Sequence, residues 1–166
     1  MLAPPGGGKG TQGVRIAEDL GVEHISSGDL LREAVAEDTP IGREVAEAMA
    51  AGRLAPDAVV TQAVQPVLGA RDGYVLDGFP RNLAQADGMD FDAVVHLDVP
   101  AEVTRKRLLA RGRADDVESV IERRLKQYAA DTEPLVAHYR EVLVEVDGDR
   151  APDDITAELL QRLGAR

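Results

Sequence analysis

Short strand-like runs alternate with longer helical patterns along the chain. The runs that predict strands lie at 23–25, 74–76, 93–99 and 141–146. Apolar positions spaced three and four residues apart predict helices over 12–20, 29–37, 41–51, 57–68, 102–110, 118–130, 134–140 and 153–163. This alternation indicates an α/β domain in which helices flank a parallel sheet.

Glycine and proline residues separate the predicted elements. Gly21 ends the first helix, and Pro100 ends the longest strand. The pair Asp72-Gly73 predicts a turn ahead of the next strand. Because no repeat, low-complexity tract or linker interrupts the pattern, we expect residues 1–166 to form a single domain.

The composition restricts the classes of partner. Hydrophobic residues make up 44% of the chain, charged residues 30%, and the formal net charge is −11. This acidity argues against general binding to nucleic acid or to an anionic membrane, and aromatic residues, at 3%, are too few for base stacking. No apolar run approaches the about 20 residues that cross a bilayer, and no secretion signal is visible. We therefore expect a cytoplasmic protein that binds neither nucleic acid nor membrane.

A glycine-rich segment stands immediately before the first predicted helix. Residues 3–11 read Ala-Pro-Pro-Gly-Gly-Gly-Lys-Gly-Thr. Glycines allow successive backbone N–H groups to face an anion, and the helix that follows adds free N–H groups and the positive end of its dipole. Lys9 can reach outer phosphates, and the Thr11 hydroxyl can lie near a bound Mg²⁺. The segment predicts a triphosphate-binding loop, with a flexible tail as the alternative.

This segment departs from the usual phosphate-loop pattern. Ala3 stands where the pattern has its first glycine, and Gly10 separates Lys9 from Thr11. Such a loop normally follows a buried strand, whereas only two residues precede Ala3. We therefore expect the sheet to lack its usual first strand.

Several further segments follow the loop in a characteristic order. They read Ile-Ser-Ser-Gly-Asp-Leu-Leu-Arg at 25–32, Gly-Arg-Leu-Ala at 52–55, Asp-Gly-Phe-Pro-Arg-Asn-Leu-Ala-Gln at 77–85, Arg-Gly-Arg-Ala-Asp-Asp at 111–116, Arg-Arg-Leu at 123–125 and Val-Asp-Gly at 146–148. Together with the loop, these segments resemble those of adenylate kinases, within the nucleoside monophosphate kinases, from Ala3 to the carboxyl terminus. The resemblance implies a three-layer P-loop kinase fold and reversible phosphoryl transfer from ATP to AMP, which gives two ADP.

The same resemblance implies two nucleotide sites. ATP would lie against Pro5, Gly6, Gly7, Gly8, Lys9, Gly10, Thr11, Arg107, Arg111, Gly148 and Arg150. AMP would lie against Ser27, Arg32, Arg53, Leu54, Ala55, Gly78, Phe79, Arg81, Gln85, Arg113 and Arg124. The catalytic cations would be Lys9, Arg81, Arg113 and Arg124. Arginine donors match phosphate oxygens, and this transfer requires positioning and cationic stabilisation rather than a nucleophilic side chain.

Some residues have more specific implied roles. Gln85 would read the adenine edge with its paired donor and acceptor. Asp77 would orient Mg²⁺ through water, with Thr11 as a second oxygen. Asp115 and Asp116 would pair with arginines to hold a lid rather than bind metal.

The resemblance also implies mobile parts and an expected assembly. An AMP-binding helical region would cover about 27–56, and a short lid would cover about 111–119. The lid leaves no room for the inserted domain that carries zinc in some relatives, and the chain has no cysteine, so we expect Mg²⁺ with ATP but no zinc. Because Arg123 and Arg124 face different sides of a helix, we expect one of them to serve the site. A monomer is expected.

Two alternatives remain at this point. A uridylate or cytidylate kinase shares the short lid, although Gln85 favours AMP as the acceptor. The second alternative is a truncated protein that binds nucleotides without catalysis, because a phosphate loop without the strand before it lacks a rigid anchor.

Overall fold

The computed structural model describes residues 1–69 and 73–164 and has a mixed α/β fold. Its strands are β1 (Glu23–Ser26), β2 (Tyr74–Asp77), β3 (Val94–Asp98) and β4 (Leu143–Asp147). Its helices are α1 (Lys9–Leu20), α2 (Ser27–Ala36), α3 (Pro40–Ala50), α4 (Asp57–Leu68), α5 (Leu83–Ala86), α6 (Ala101–Arg111), α7 (Glu118–Gln127), α8 (Pro134–His138) and α9 (Pro152–Gly164), with a π-helix at Tyr128–Thr132. The predicted α/β alternation is confirmed. Across these two ranges, no helix has both the length and the apolar character needed to cross a membrane.

All strand pairs are parallel. β1 pairs with β2, which places Ile25 opposite Leu76, and β3 pairs with β4, which places Leu97 opposite Val146. Parallel neighbours need crossover connections, and the helices between the strands supply them. The predicted parallel sheet with flanking helices is therefore confirmed.

The amino-terminal residues lie between the two strand pairs. The Leu2 N–H donates to the Val95 carbonyl at 2.7 Å, and the Leu97 N–H donates to the Leu2 carbonyl at 2.9 Å, which forms a parallel bridge to β3. On the other side, the Met1 nitrogen donates to the Leu76 carbonyl at 2.6 Å. In the described part of the chain, this short extended segment occupies the position between β2 and β3 and anchors the loop that follows.

Some element boundaries differ from those predicted. β4 begins at Leu143, two residues later than predicted, because residues 139–142 form a turn. The helix predicted over 118–130 is regular only to Gln127, where the chain widens into the π-helix. The sequence pattern does not predict α5, whose four residues are too few to show a helical period. The turn predicted at Asp72-Gly73 begins outside the described residues.

Besides a smaller cluster that joins Leu2 and β3 to α5 and α8, two apolar clusters hold the helices on the sheet. One joins β3 and β4 to α1 and α9, and its buried members include Ile16, Leu97, Val146, Ile155 and Leu159. The other joins β1 and β2 to the helices α2, α3 and α4, and its buried members include Ile25, Leu31, Val45, Val64, Leu76 and Phe79. Burial of apolar side chains on both faces leaves the carboxyl edge of the parallel strands as the place for a ligand.

Candidate active site

The glycine-rich segment forms a tight loop that leads into α1. Gly6 and Gly8 have positive φ angles of 80° and 93°, which favour glycine. A Cβ on Gly6 would lie 2.8 Å from the Thr104 carbonyl oxygen, so the loop packs directly against α6. Because α1 begins at Lys9, its free N–H groups and the positive end of its dipole face the same space as the loop. This arrangement suits a phosphate group.

Lys9 is half-buried and donates to carbonyl groups of its own loop. Its Nζ lies 2.7 Å from the Ala3 oxygen and 3.4 Å from the Pro4 oxygen. Burial lowers the pKa of Lys9 to about 8, and although Asp77 acts in the opposite direction, the arginines nearby lower it further. The ammonium group is therefore a poorly solvated cation that an anion in the loop would stabilise.

Two cavities meet beside Lys9. The larger one, of about 730 Å³, runs from the loop to Arg107, Gly148 and Arg150. The smaller one, of about 150 Å³, lies against Leu31, Met49 and residues 52–55. The residues that line both are Pro5, Lys9, Gly28, Arg32, Gly78, Arg81 and Arg124. The boundary between the cavities is therefore strongly cationic.

Arg81 and Arg124 form the centre of this boundary. Arg81 is half-buried, and its Nε donates to the Gly78 carbonyl at 2.6 Å. Burial lowers the pKa of the Arg81 guanidinium from its ordinary value, which marks a desolvated charge. The Arg124 Nη1 lies 3.0 Å from the Asp115 carboxylate, so its position is fixed while it still lines both cavities. Such a pair matches a group that carries several negative charges.

Asp116 holds the segment between α6 and α7. Its buried carboxylate accepts hydrogen bonds from the Arg111 Nε at 2.8 Å, the Arg111 Nη2 at 2.7 Å and the Arg113 N–H at 3.1 Å. Burial by itself would raise the pKa of Asp116, but the bonds from Arg111 and Arg113 outweigh it and hold the pKa below its ordinary value. Asp116 therefore organises the arginines at the rim of the larger cavity.

Replacing Asp116 with asparagine is expected to lower the free energy of unfolding at pH 7 by about 1–3 kcal/mol, because the arginines lose a charged acceptor. Since the folded-state pKa of Asp116 lies below its ordinary value, the carboxylate stabilises the fold above that value and stops doing so as the pH falls through the folded pKa. Urea unfolding at several pH values would show a gap to wild type that persists at about pH 5 and shrinks below about pH 4. The exposed Asp154→Asn variant is the control, and a gap that does not change with pH would contradict the role given to the charge.

The residues at the carboxyl end of β2 are compatible with Mg²⁺. Asp77 is buried, lines the larger cavity and lies 3.7 Å from the position that a Cβ would take on Gly10. Thr11 supplies a hydroxyl in the first turn of α1. In the described part of the chain, no three His, Cys, Asp or Glu side chains cluster into a site that would hold a metal with protein ligands alone. A single carboxylate and a hydroxyl suit Mg²⁺ that keeps several waters and binds mainly to phosphates.

Most of the predicted site residues line a cavity, but a few do not. Ser27 is buried beneath the site, where its hydroxyl donates to the Gly78 carbonyl at 2.6 Å. Phe79 packs in the apolar cluster under β2 because its ring has no polar group to present. The Gln85 amide is bonded at both ends within the protein, since it accepts from the Arg81 N–H at 2.7 Å and donates to Asp57 at 2.7 Å.

The remaining predicted residues divide between the cavities. The larger cavity includes the loop residues Pro5, Gly6, Gly7, Gly8, Lys9, Gly10 and Thr11 together with Asp77, Arg107, Arg111, Arg113, Gly148 and Arg150. The smaller cavity includes Arg32, Arg53, Leu54, Ala55, Gly78, Arg81 and Arg124. Of the two adjacent arginines, Arg124 lines the cavities, whereas Arg123 is exposed and donates to the Ala51 carbonyl.

Other residues line the site without having been predicted. Gln127, Tyr128 and Thr132 border the smaller cavity at the end of α7 and in the π-helix. No motif or periodicity marks the place where a helix widens, so the sequence carried no signal for them. Gln12 lines the larger cavity, is 2% exposed and donates to the Pro152 carbonyl at 2.9 Å. Gln12 could have been found from the sequence, because it is a polar residue on the buried side of a predicted helix.

A phosphoryl group can pass between two ligands only where both reach the same cationic space, and the two cavities of this α/β fold meet in such a space. The fold and the site therefore define a P-loop nucleotide kinase.

The family model described as adenylate kinase matches residues 1–144. The chain is 43% identical to an adenylate kinase of Nocardia farcinica, over 99% of this chain and 97% of the relative. It is also 43% identical to adenylate kinase 1 of Nostoc, over 99% and 97%, and 44% identical to adenylate kinase 1 of Synechocystis, over 96% and 92%.

The chain belongs to the adenylate kinase family. The reaction of this family is the reversible transfer of a phosphoryl group from ATP to AMP, which gives two ADP. The resemblance seen in the sequence is thereby confirmed, and neither a uridylate or cytidylate kinase nor a non-catalytic protein is favoured.

Proposed function

We propose that ATP binds in the larger cavity, that AMP binds in the smaller cavity, and that the terminal phosphoryl group passes between them beside Lys9, Arg81 and Arg124. The observation that carries this proposal is the shared lining of the two cavities. A phosphate at the boundary would contact cations that both nucleotides reach. Because both nucleotides meet at this boundary, the same three cationic side chains can contact the attacking oxygen, the transferred phosphoryl group and the leaving group.

In this proposal the cations supply the catalysis. Lys9 exchanges its bonds to the Ala3 and Pro4 carbonyls for bonds to the outer phosphates of ATP. Arg81 and Arg124 stabilise the charge that spreads over the oxygens of the transferred phosphoryl group. Their desolvated setting strengthens each of these interactions, because the effective dielectric constant is lower there than in water.

We propose that Mg²⁺ accompanies ATP. Asp77 would hold the hydrated ion through water, and the Thr11 hydroxyl would lie on the phosphate side. The ion would neutralise part of the charge of the triphosphate. Support for this assignment comes from the burial of Asp77 at the end of β2 and its position against Gly10 of the loop.

We also propose that two segments close over the nucleotides and exclude water from the transfer. The helical region of about 27–56 would close over AMP, and the short lid of about 111–119 would close over ATP. The residues that line the smaller cavity come partly from the first segment, and Arg111 and Arg113 of the second line the larger cavity. We further propose a cytoplasmic monomer.

The purified chain, assayed for ADP formation with ATP and Mg²⁺, is expected to use AMP at least about tenfold better than UMP or CMP, as measured by kcat/KM. The reason is Gln85, whose side-chain oxygen accepts from the Arg81 N–H and whose NH₂ group donates to Asp57, because this paired acceptor and donor can exchange those bonds for the adenine edge. The Gln85→Leu variant is expected to reduce the preference. A clear preference for UMP or CMP would contradict the assignment of the acceptor, and a lack of ADP with all three would contradict the proposed transfer.

A further inference from the structure

The backbone that borders the smaller cavity is tied to helix α7. We define the AMP loop as residues 51–55, which lie in the connection between α3 and α4. The Leu54 N–H donates to the side-chain oxygen of Gln127 at 3.2 Å, although the two residues lie far apart in the sequence. At the other end of the loop, the Arg123 guanidinium donates to the Ala51 carbonyl. Two side chains of α7 therefore hold two peptide groups of the AMP loop.

The backbone of the loop also packs directly on side chains of α7, because residue 52 has no side chain of its own. Gly52 is buried and has a φ of 66°, a conformation that favours glycine. A Cβ on Gly52 would lie 2.4 Å from the Val120 Cγ1 and 3.2 Å from the Arg124 Cγ. The fit fixes the distance between the backbone of the loop and the helix.

One face of α7 connects this loop to the boundary of the two cavities. Arg124 and Gln127 are three residues apart and so lie on the same side of the helix. Both line the smaller cavity, where Arg53, Leu54 and Ala55 of the loop lie as well. The helix that presents Arg124 to the phosphates thus also sets the position of the loop backbone.

We propose that Gln127 is a positioning residue for AMP: its side-chain oxygen holds the Leu54 amide and keeps the AMP loop in the shape that receives the nucleotide. The inference rests on the proposed placement of AMP in the smaller cavity. The Gln127 side chain orders the AMP loop before AMP binds. If this side chain is removed, AMP must order the loop as it binds, whereas the phosphate-binding loop at the ATP site is unaffected.

Kinetics of matched variants test this role. Gln127→Met keeps the length of the side chain but removes the acceptor, Gln127→Glu restores an acceptor oxygen, and Lys126→Met changes the neighbouring exposed residue as a control. Gln127→Met is expected to raise KM for AMP about 3- to 10-fold, with KM for ATP and kcat within about twofold of wild type. Gln127→Glu should recover most of the loss, and Lys126→Met should have none. An unchanged KM for AMP, or an equal rise in KM for both nucleotides, would overturn the inference.

Amide hydrogen exchange supplies a readout that does not depend on turnover. In the free protein, the Leu54 amide is expected to exchange slowly in the wild type and at least about tenfold faster in Gln127→Met. Arg123→Met removes the second bond to the loop, and because Arg123 is exposed its loss should not disturb the core. This variant should also raise KM for AMP, and it replaces Gln127→Met in the test if that variant does not fold. Equal exchange at Leu54 in both proteins would overturn the role of Gln127. If AMP fails to slow exchange of residues 53–55 in the wild type, the placement of AMP in the smaller cavity is wrong instead.

Discussion

Replacing Lys9 with methionine is expected to lower kcat for ADP formation by about 10³- to 10⁵-fold, the range that a single cation acting on a transferring phosphoryl group can contribute. Lys9 lines both cavities and starts the helix whose N–H groups face the phosphates. Methionine keeps the length of the side chain but brings no charge to the outer phosphates. A coupled assay at saturating ATP and AMP measures the loss.

The control for this variant is Lys106→Met, which removes an exposed lysine from α6 and should leave kcat unchanged. Loss of Lys9 is not expected to unfold the protein. Burial disfavours its charged form, as the lowered pKa shows, so the fold gains little from that charge when no nucleotide is bound. Thermal unfolding midpoints would check this. If Lys9→Met keeps a kcat within about tenfold of wild type, Lys9 does not act on the transferred group.

Arg81→Ala is expected to lower kcat/KM for AMP by about 10³-fold or more. The Arg81 guanidinium is desolvated and lies at the boundary of the cavities, where it would meet the phosphate of AMP and the transferred group together. The variant keeps the backbone bonds of residue 81, because its N–H donates to Gln85 and its carbonyl accepts from the Thr132 hydroxyl. The fall in kcat/KM therefore measures the contribution of the guanidinium rather than the effect of a displaced loop.

The matched control is Arg105→Ala. Arg105 pairs with Glu118 and Glu122 away from both cavities, so its removal should change kcat/KM less than about twofold. Full kinetics with AMP varied at saturating ATP, and then with ATP varied at saturating AMP, would separate the two sites. Equal losses in Arg81→Ala and Arg105→Ala would contradict the assigned role of Arg81.

Features that depend on short stretches of chain could be predicted from the sequence. The loop before α1 needs glycine at the positions with positive φ, and those glycines are visible as letters. Strand β3 could also be predicted from the sequence, because its run of apolar residues is typical of a strand that is buried on both faces of the sheet. In both cases the local conformation and the residue type are linked directly, so the pattern and the structure agree.

Contacts between distant segments could not be predicted in the same way. The motif that contains Phe79 and Gln85 indicates an AMP site, but it does not reveal that the Phe79 ring packs in the core or that the Gln85 amide bonds to Asp57. The adjacent Arg123 and Arg124 look alike in the sequence, but only the packing of α7 decides that Arg124 reaches the cavities while Arg123 bonds to the Ala51 carbonyl. Gln127 lay outside every motif, because its partner is a backbone amide that has no sequence signature.

By itself, the sequence determined the α/β alternation, the phosphate loop with Lys9, and the family, because helical period, strand pattern and glycine placement are properties of neighbouring residues. The tertiary structure decided which cations share a boundary and how Met1 and Leu2 link β2 to β3. Those arrangements depend on the packing of helices and strands that are far apart in the chain. Residues such as Arg81 and Arg124 become a site only when that packing excludes water around them and brings their charges to one place.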